Sequence, residues 1–311
     1  MSETPFDFII VGAGSAGCVL AARLSEDPSV QVALIEAGPP DTSALIHCPA
    51  GIALMARTEI VSQGLNTVPQ PGLNGRIGFQ PRGRTLGGSS STNAMAYIRG
   101  QQADYDHWAQ QGCTGWAWAD VLPYFIKAEH NERIHNEWHG QNGPLNVADL
   151  QSPNVFAKRF VEAGVQAGLP LTSDFNGPTQ EGVGLYQVTH QHGERFSAAK
   201  GYLTPNLGRP NLHVFTGAHT TRILLEHKRA VGVEFEQGGQ IQLTDKEYPA
   251  MEVMMSTTAE KAATGADRVA ELLQGGKMVR YGARVISISP AERRSFVDPK
   301  ERVKKSGTTR P

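Results

Sequence analysis

The stretch Asp7-Phe8-Ile9-Ile10-Val11-Gly12-Ala13-Gly14-Ser15-Ala16-Gly17 decides the fold of this 311-residue chain. Phe8 to Val11 reads as a buried strand, and three glycines spaced G-x-G-x-x-G follow it directly. Gly12 permits the tight turn out of the strand, Gly14 lets a pyrophosphate approach the backbone, and Gly17 lets the next helix lie close on the sheet. That helix, opening at Ser15 and Ala16, points unpaired N–H groups and the positive end of its dipole at the phosphates, so no basic side chain is needed. A second apolar strand, residues 30–35, ends at Glu36, nineteen residues beyond Gly17. A carboxylate there accepts hydrogen bonds from an adenosine ribose. A lone glycine-rich turn would be an ordinary loop, but strand, turn, helix, strand and acid in this order indicate dinucleotide binding. The motif does not choose between FAD and NAD, although an acid at the ribose disfavours a cofactor with a 2′-phosphate.

With 29 basic and 30 acidic side chains the net charge is −1, which argues against a nucleic-acid surface. The 34 glycines and 19 prolines, with 7% aromatic residues, imply many turns, as in a cofactor-binding α/β enzyme. Cys18, Cys48 and Cys113 are odd in number and unrelated in spacing, so neither a disulfide framework nor a zinc site is expected, and no metal is assigned. The first strand begins within a few residues of Met1, and no apolar run is long enough to span a bilayer. A cytoplasmic location without signal peptide or integral membrane segment is therefore the expectation.

Residues 16–24 read as a helix that stops before Asp27-Pro28. After Glu36 a long loop-rich stretch runs to Gly83, an insertion or a functional loop. Gly87-Gly88-Ser89-Ser90-Ser91-Thr92-Asn93 then forms a second polar cradle, two glycines for close approach and three hydroxyls to cap a following helix. Trp108, Trp116, Trp118, Tyr124 and Phe125 predict a packed helical layer in which His107 is structural. His139 is read as capping a turn ahead of a strand near Leu145, in preference to a catalytic base. Residues 154–168 fit an amphipathic helix through Val155, Phe156, Phe160, Val161 and Val165. Strands are predicted over 186–189 and 212–216, with a helix over 197–203 between them, and a hairpin joins 220–225 to 230–235. The expected architecture has two layers, with Phe8–Val11 and Val32–Ile35 as neighbouring central strands of a parallel sheet.

These segments resemble the glucose–methanol–choline (GMC) oxidoreductase family, most closely its bacterial choline-dehydrogenase and alcohol-dehydrogenase-like branch. The resemblance covers nearly all of residues 6–236. It rests on the first glycine motif through Leu24, on Glu36-Ala37-Gly38, and on Gly87 to Ser91 with Asn93. It continues through Asp174-Phe175-Asn176-Gly177, Gly182-Val183-Gly184, Arg195-Phe196-Ser197-Ala198-Ala199, Pro210 to Val214 and Arg229 to Glu234. The resemblance implies an α/β, Rossmann-like FAD-binding domain with a mostly parallel sheet, truncated relative to the family. It implies FAD as cofactor, held by Gly12, Gly14, Ser15, Ala16, Gly17, Glu36, Gly87, Gly88, Ser89, Asn93 and Thr220. In the family the cradle lies beside the flavin, and the strand carrying Ala218-His219-Thr220 passes the adenine. The activity implied is oxidation of the CH–OH group of a small-molecule alcohol by hydride transfer to flavin N5. Thr92, where the family prefers an aliphatic residue, should alter packing under the loop more than chemistry.

The second family signature, a strand followed by a glycine that closes on the pyrophosphate, is replaced by Met251 to Ser256 and then Thr257-Thr258. The ten histidines all fall between His47 and His227, so none inherits the family's late catalytic histidine, and the catalytic residue is unknown. The organisation expected is a FAD-binding domain over 5–242 with helical and loop insertions, a divergent segment over 243–289, and a disordered basic tail over 290–311. Anion or peripheral membrane contact by that tail is a minor alternative. Two functions are weighed: an FAD-dependent alcohol or choline dehydrogenase, and an inactive truncated FAD-binding fragment lacking substrate domain and base. A nicotinamide-dependent dehydrogenase is disfavoured because the Gly87 to Asn93 cradle has no place in it. The alcohol, the electron acceptor and the oligomeric state are left open.

Overall fold

The computed structural model describes residues 6–55, 58–226, 229–244 and 252–255. The N-terminal third carries β1 (Phe8–Val11), α1 (Ser15–Leu24), β2 (Val32–Ile35), α2 (Ala44–His47), α3 (Ile52–Met55), β3 (Leu65–Asn66) and β4 (Phe79–Gln80). The middle holds α4 (Gln102–Gln110), α5 (Trp118–Ala128), β5 (Glu129–Asn131), β6 (Leu145–Val147) and α6 (Val155–Gln166). Beyond it come β7 (His190–Gln191), β8 (Glu194–Arg195), β9 (Leu212–Phe215), β10 (Ala218–Glu226), β11 (Arg229–Gln237), β12 (Gln240–Leu243) and β13 (Glu252–Met255).

The central sheet is parallel throughout, in the order β13, β1, β2, β9, and Phe8 to Val11 lies register by register beside Val32 to Ile35. The predicted neighbouring central strands are therefore present. Both strands are apolar at every position, so both faces of the sheet must be covered. Ile10, Val32 and Leu34 pack under α1 together with Tyr202 and Leu203. Ile9, Ala33 and Ile35 face the other way, onto Ala218, Val233 and Phe235 of the antiparallel sheet β10, β11, β12. The result is three layers instead of the expected two, because the hairpin over 218–237 supplies the cover for the second face. Truncating one of the fully buried residues, such as Ile9 to Ala, would cost roughly 2–5 kcal/mol.

The aromatic layer of α4 and α5 forms around Trp118 and Phe125 with Trp116 against them, as predicted, but Tyr105 and Val121 complete its core, Trp108 is 41% exposed, and His107 is exposed on α4 and is not part of it. The hydroxyls after Gly87-Gly88 start only a 3-10 turn, Gly88–Ser91, and no longer helix follows. Residues 186–189 are not a strand; Val188 makes isolated bridges to Ala96 and Ala148. The segment read as a helix over 197–203 is a π-helical turn, Ala199–Leu203, packed on α1. Helix α6 forms where its periodicity places it, yet Phe156 and Phe160 are 79% and 74% exposed, so its apolar face is uncovered among the described residues. The divergent segment keeps its strand, since β13 extends the sheet beside β1. Residues 256–311, with the Thr257-Thr258 pair and the basic tail, lie outside the described residues.

Candidate cofactor site

The site is assembled at the carboxyl ends of β1 and β2, where an open parallel sheet binds ligands. Gly12 takes φ +92°, a left-handed turn favouring glycine, and its N–H donates to Ile35 O at 2.7 Å. Gly14 is the N-cap of α1, and no side chain caps that helix. Having no side chain, Gly14 offers no acceptor from the cap position to the backbone at Ser15 and Ala16, the arrangement an anion site uses. Ala16 and Gly17 are buried against the sheet and Ser15 is half-buried.

Glu36 is buried at the end of β2. Its Oε2 accepts from Ala13 N and its Oε1 from Gly38 N, both at 2.8 Å. The carboxylate therefore braces the first glycine turn. Each oxygen retains a second lone pair for a ligand hydroxyl. Burial raises its pKa above the ordinary carboxylate value, against the lowering effect of the Gly38 and Ala13 N–H groups and of Arg84.

The second glycine segment closes on the first. Gly87 N donates to Ala13 O at 2.8 Å, and a Cβ on Gly88 would stand 2.7 Å from the Gly14 Cα. Gly87 and Gly88 both take positive φ, +84° and +54°. The three serines point their hydroxyls inward to fix the turn: Ser89 Oγ accepts from Gly83 N, Ser90 Oγ donates to Gly87 O, and Ser91 Oγ donates to Leu86 O. Asn93 Oδ1 accepts from Met95 N at 3.0 Å and from Arg195 Nη1 at 2.8 Å. Met95 is buried at φ +63°, a left-handed conformation unusual for a non-glycine residue and of the kind found at ligand sites. Thr92 is half-buried, with its Oγ1 on Ser89 O.

β10 reaches the same place from the hairpin side. Ala218 N donates to Glu36 O and Gly217 N to Gly38 O. Two residues further along, the Thr220 hydroxyl is buried without a hydrogen-bond partner among the described residues. The structure thus brings the first glycine loop, Glu36, the cradle from Gly87 to Asn93, and the strand of Thr220 into one contiguous region.

His139 belongs elsewhere. It is not a turn cap but the centre of a buried polar cluster, with Nδ1 3.0 Å from Glu129 Oε1 and Nε2 3.1 Å from Asp174 Oδ2. Arg99 Nη2 donates to Glu129 Oε2 at 2.6 Å, and Asn131 Nδ2 bonds both Glu129 and Gln187. Burial alone would lower the His139 pKa, but Asp174 and Glu129 outweigh it and raise it to about 9. The imidazole is therefore a cation at neutral pH and cannot act as the base weighed for it.

Two site features had no local signal in the sequence. Arg195 opens a stretch that carries the family resemblance, but nothing near it marks its reach to Ile46, Ser90 and Asn93, partners 102 to 149 positions away. The left-handed Met95 is equally silent, since nothing in its residue type marks it.

A parallel sheet with a glycine turn, an uncapped helix and a strand-end acid defines a dinucleotide-binding protein of the Rossmann type. Residues 6–263 match the GMC oxidoreductase family, and the chain belongs to that family. It is 51% identical over 244 residues to "Alcohol dehydrogenase [acceptor]" of Pseudomonas putida, covering 77% of this chain and 44% of that protein. It is 48% identical over 232 residues to "Oxygen-dependent choline dehydrogenase" of Brucella ovis, covering 75% and 42%. Among solved structures it resembles an FAD-dependent oxidoreductase from Chaetomium thermophilum, with TM-score 0.73, 30% identity, and coverage of 81% of this chain and 45% of that one. The chain thus spans less than half the length of the relatives it matches. Among the described residues, no helix is long and apolar enough to cross a membrane.

Proposed function

We propose that this chain is the cofactor-binding portion of an FAD-dependent oxidoreductase acting on the CH–OH group of an alcohol, of the choline- or primary-alcohol-dehydrogenase type. The observation that carries this reading is the contact between the two glycine segments, where Gly88 packs on Gly14 so closely that a Cβ would collide. With the uncapped start of α1 and the buried carboxylate of Glu36, that contact leaves backbone approach for a pyrophosphate and an acceptor for a ribose. Gly12, Gly14, Ser15, Ala16 and Gly17 would hold the pyrophosphate, Glu36 the ribose, and Thr220 the adenine side. Gly87, Gly88, Ser89 and Asn93 would line the flavin. When bound, FAD supplies an N5 atom that takes a hydride from the alcohol carbon. The names of the two relatives support an alcohol, choline among the candidates.

A second reading is favoured by His139: the chain binds FAD, but the histidine weighed as its base is not available as one. The buried histidine on which a base role was weighed is held protonated between Glu129 and Asp174. General-base catalysis contributes about 10²–10⁴-fold, so alcohol oxidation by this chain alone should be slower by that factor or absent. The test is an anaerobic mix of FAD-loaded chain with excess choline or benzyl alcohol, followed at the oxidised flavin band. Slow or absent bleaching fits a cofactor portion without a base. Rapid bleaching would overturn the second reading, and failure to load FAD would overturn the first.

A further inference from the structure

Arg195 is 1% exposed, yet among the described residues its guanidinium meets only neutral oxygens. Nε donates to Ile46 O at 2.9 Å. Nη1 donates to Asn93 O at 2.7 Å, to Asn93 Oδ1 at 2.8 Å and to Ser90 O at 3.4 Å. Nη2 is buried and closed to solvent, without a hydrogen-bond partner among the described residues. No carboxylate pairs with this side chain among the described residues, in contrast to Arg99, the other buried arginine, which is matched by Glu129. Desolvation brings the guanidinium down to about 10, with no acid nearby to raise it again. It stays charged at neutral pH. A buried cation without a counter-ion is expensive, and negative charge placed nearby offsets that cost.

Two of its three partner residues, Ser90 and Asn93, belong to the second glycine cradle. Asn93 Oδ1 is engaged by both Arg195 and Met95 N, which fixes the amide with Oδ1 toward the arginine and Nδ2 turned from it. Building on the cofactor reading above, we propose that Arg195 is the fixed positive charge of this site, a positioning residue that holds Asn93 and acts from behind the cradle, through the field of its buried guanidinium, on an anionic group of the bound dinucleotide. The anion comes from one of two places in the cofactor. It is the pyrophosphate, present in every state, or the negative charge that the flavin ring acquires on reduction.

Three variants separate these. Arg195→Met removes the charge at similar length. Arg195→Lys keeps the charge and loses the fork. Asn93→Asp places a carboxylate on Nη1 and neutralises the arginine without touching it, so it carries the test if Arg195→Met fails to fold. The readouts are the Kd for ADP and the midpoint potential of bound FAD. If the anion is the pyrophosphate, Arg195→Met and Asn93→Asp each weaken ADP binding by tenfold or more. If it is the reduced ring, ADP affinity holds and the potential falls by the equivalent of tenfold, about 30 mV for a two-electron couple. Arg195→Lys retains the affected property to within about threefold in either case. Unchanged ADP affinity and unchanged potential in both neutralising variants would overturn the charge assignment. So would an Arg195→Lys variant as impaired as Arg195→Met, since that marks a purely structural fork. FAD that fails to bind the unaltered chain would overturn the cofactor reading itself, a result distinct from the other two.

Discussion

Replacing His139 with glutamine removes the cation that joins Glu129 to Asp174, and the loss should depend on pH in a specific way. In the folded chain His139 titrates near 9, against an ordinary value of 6.5. The folded state therefore binds the proton more tightly. The resulting stability is fully present below about pH 6.5 and is lost as pH rises through about 9. Two and a half units at 1.4 kcal/mol each give roughly 3 kcal/mol as a ceiling, because the same contacts also hold the Glu129 and Asp174 carboxyls down. Against a total stability of about 5–15 kcal/mol that is a large fraction. It corresponds to roughly 6–12 °C in melting temperature for a domain of this size. The assay is urea unfolding of the unaltered chain and His139→Gln, followed by tryptophan fluorescence at half-unit steps from pH 6 to 9.5. The gap between them should be widest at pH 6 and shrink toward pH 9.5. Parallel pH profiles with a constant gap would refute a protonated His139, and a gap that widens with pH would reverse the sign.

Glu36→Gln should weaken ADP and FAD binding by roughly 1.5–3 kcal/mol, the scale of a hydrogen bond to a charged group; calorimetric titration with ADP checks it, and an unchanged Kd would remove Glu36 from the ribose site. Gly88→Ala sets a Cβ 2.7 Å from the Gly14 Cα at a φ of +54°, so the two glycine segments must part. At a strain of roughly 1–3 kcal/mol, FAD affinity should fall by about fivefold to somewhat over a hundredfold, read by flavin fluorescence. Phe156→Ser and Phe160→Ser on the exposed face of α6 should each change unfolding stability by less than about 0.5 kcal/mol, because neither side chain is buried among the described residues. A melting-temperature drop of several degrees would show that this face is covered.

The parts of the fold written in local pattern were legible. Phe8 to Val11, the G-x-G-x-x-G turn, Val32 to Ile35 and Glu36 lie within thirty residues and declare strand, turn, helix and acid one after another. The hairpin of β10 and β11 was readable for the same reason. Whatever depends on distant partners was not. Glu129 and Arg99 are separated by 30 positions and Arg195 and Ile46 by 149, so neither contact leaves a periodicity to read. The third layer was hidden in this way too, since a hairpin pattern does not say which sheet face it will cover. Residues 186–189 have strand-like composition, but Val188 finds only isolated bridge partners there. The serines after Gly87-Gly88 look like helix caps, yet their hydroxyls turn back to fix the cradle and the helix never starts.

The measurement that bears most directly on the cofactor assignment is a fluorescence titration of the apo chain with FAD, repeated with ADP or riboflavin as competitor. With the first glycine loop, α1 and Glu36 carrying the affinity, FAD should bind at one site per chain, and ADP should displace it far better than riboflavin does. Displacement by riboflavin and not by ADP, or no FAD binding at all, would contradict an adenosine site built from Gly12, Gly14, Gly17 and Glu36.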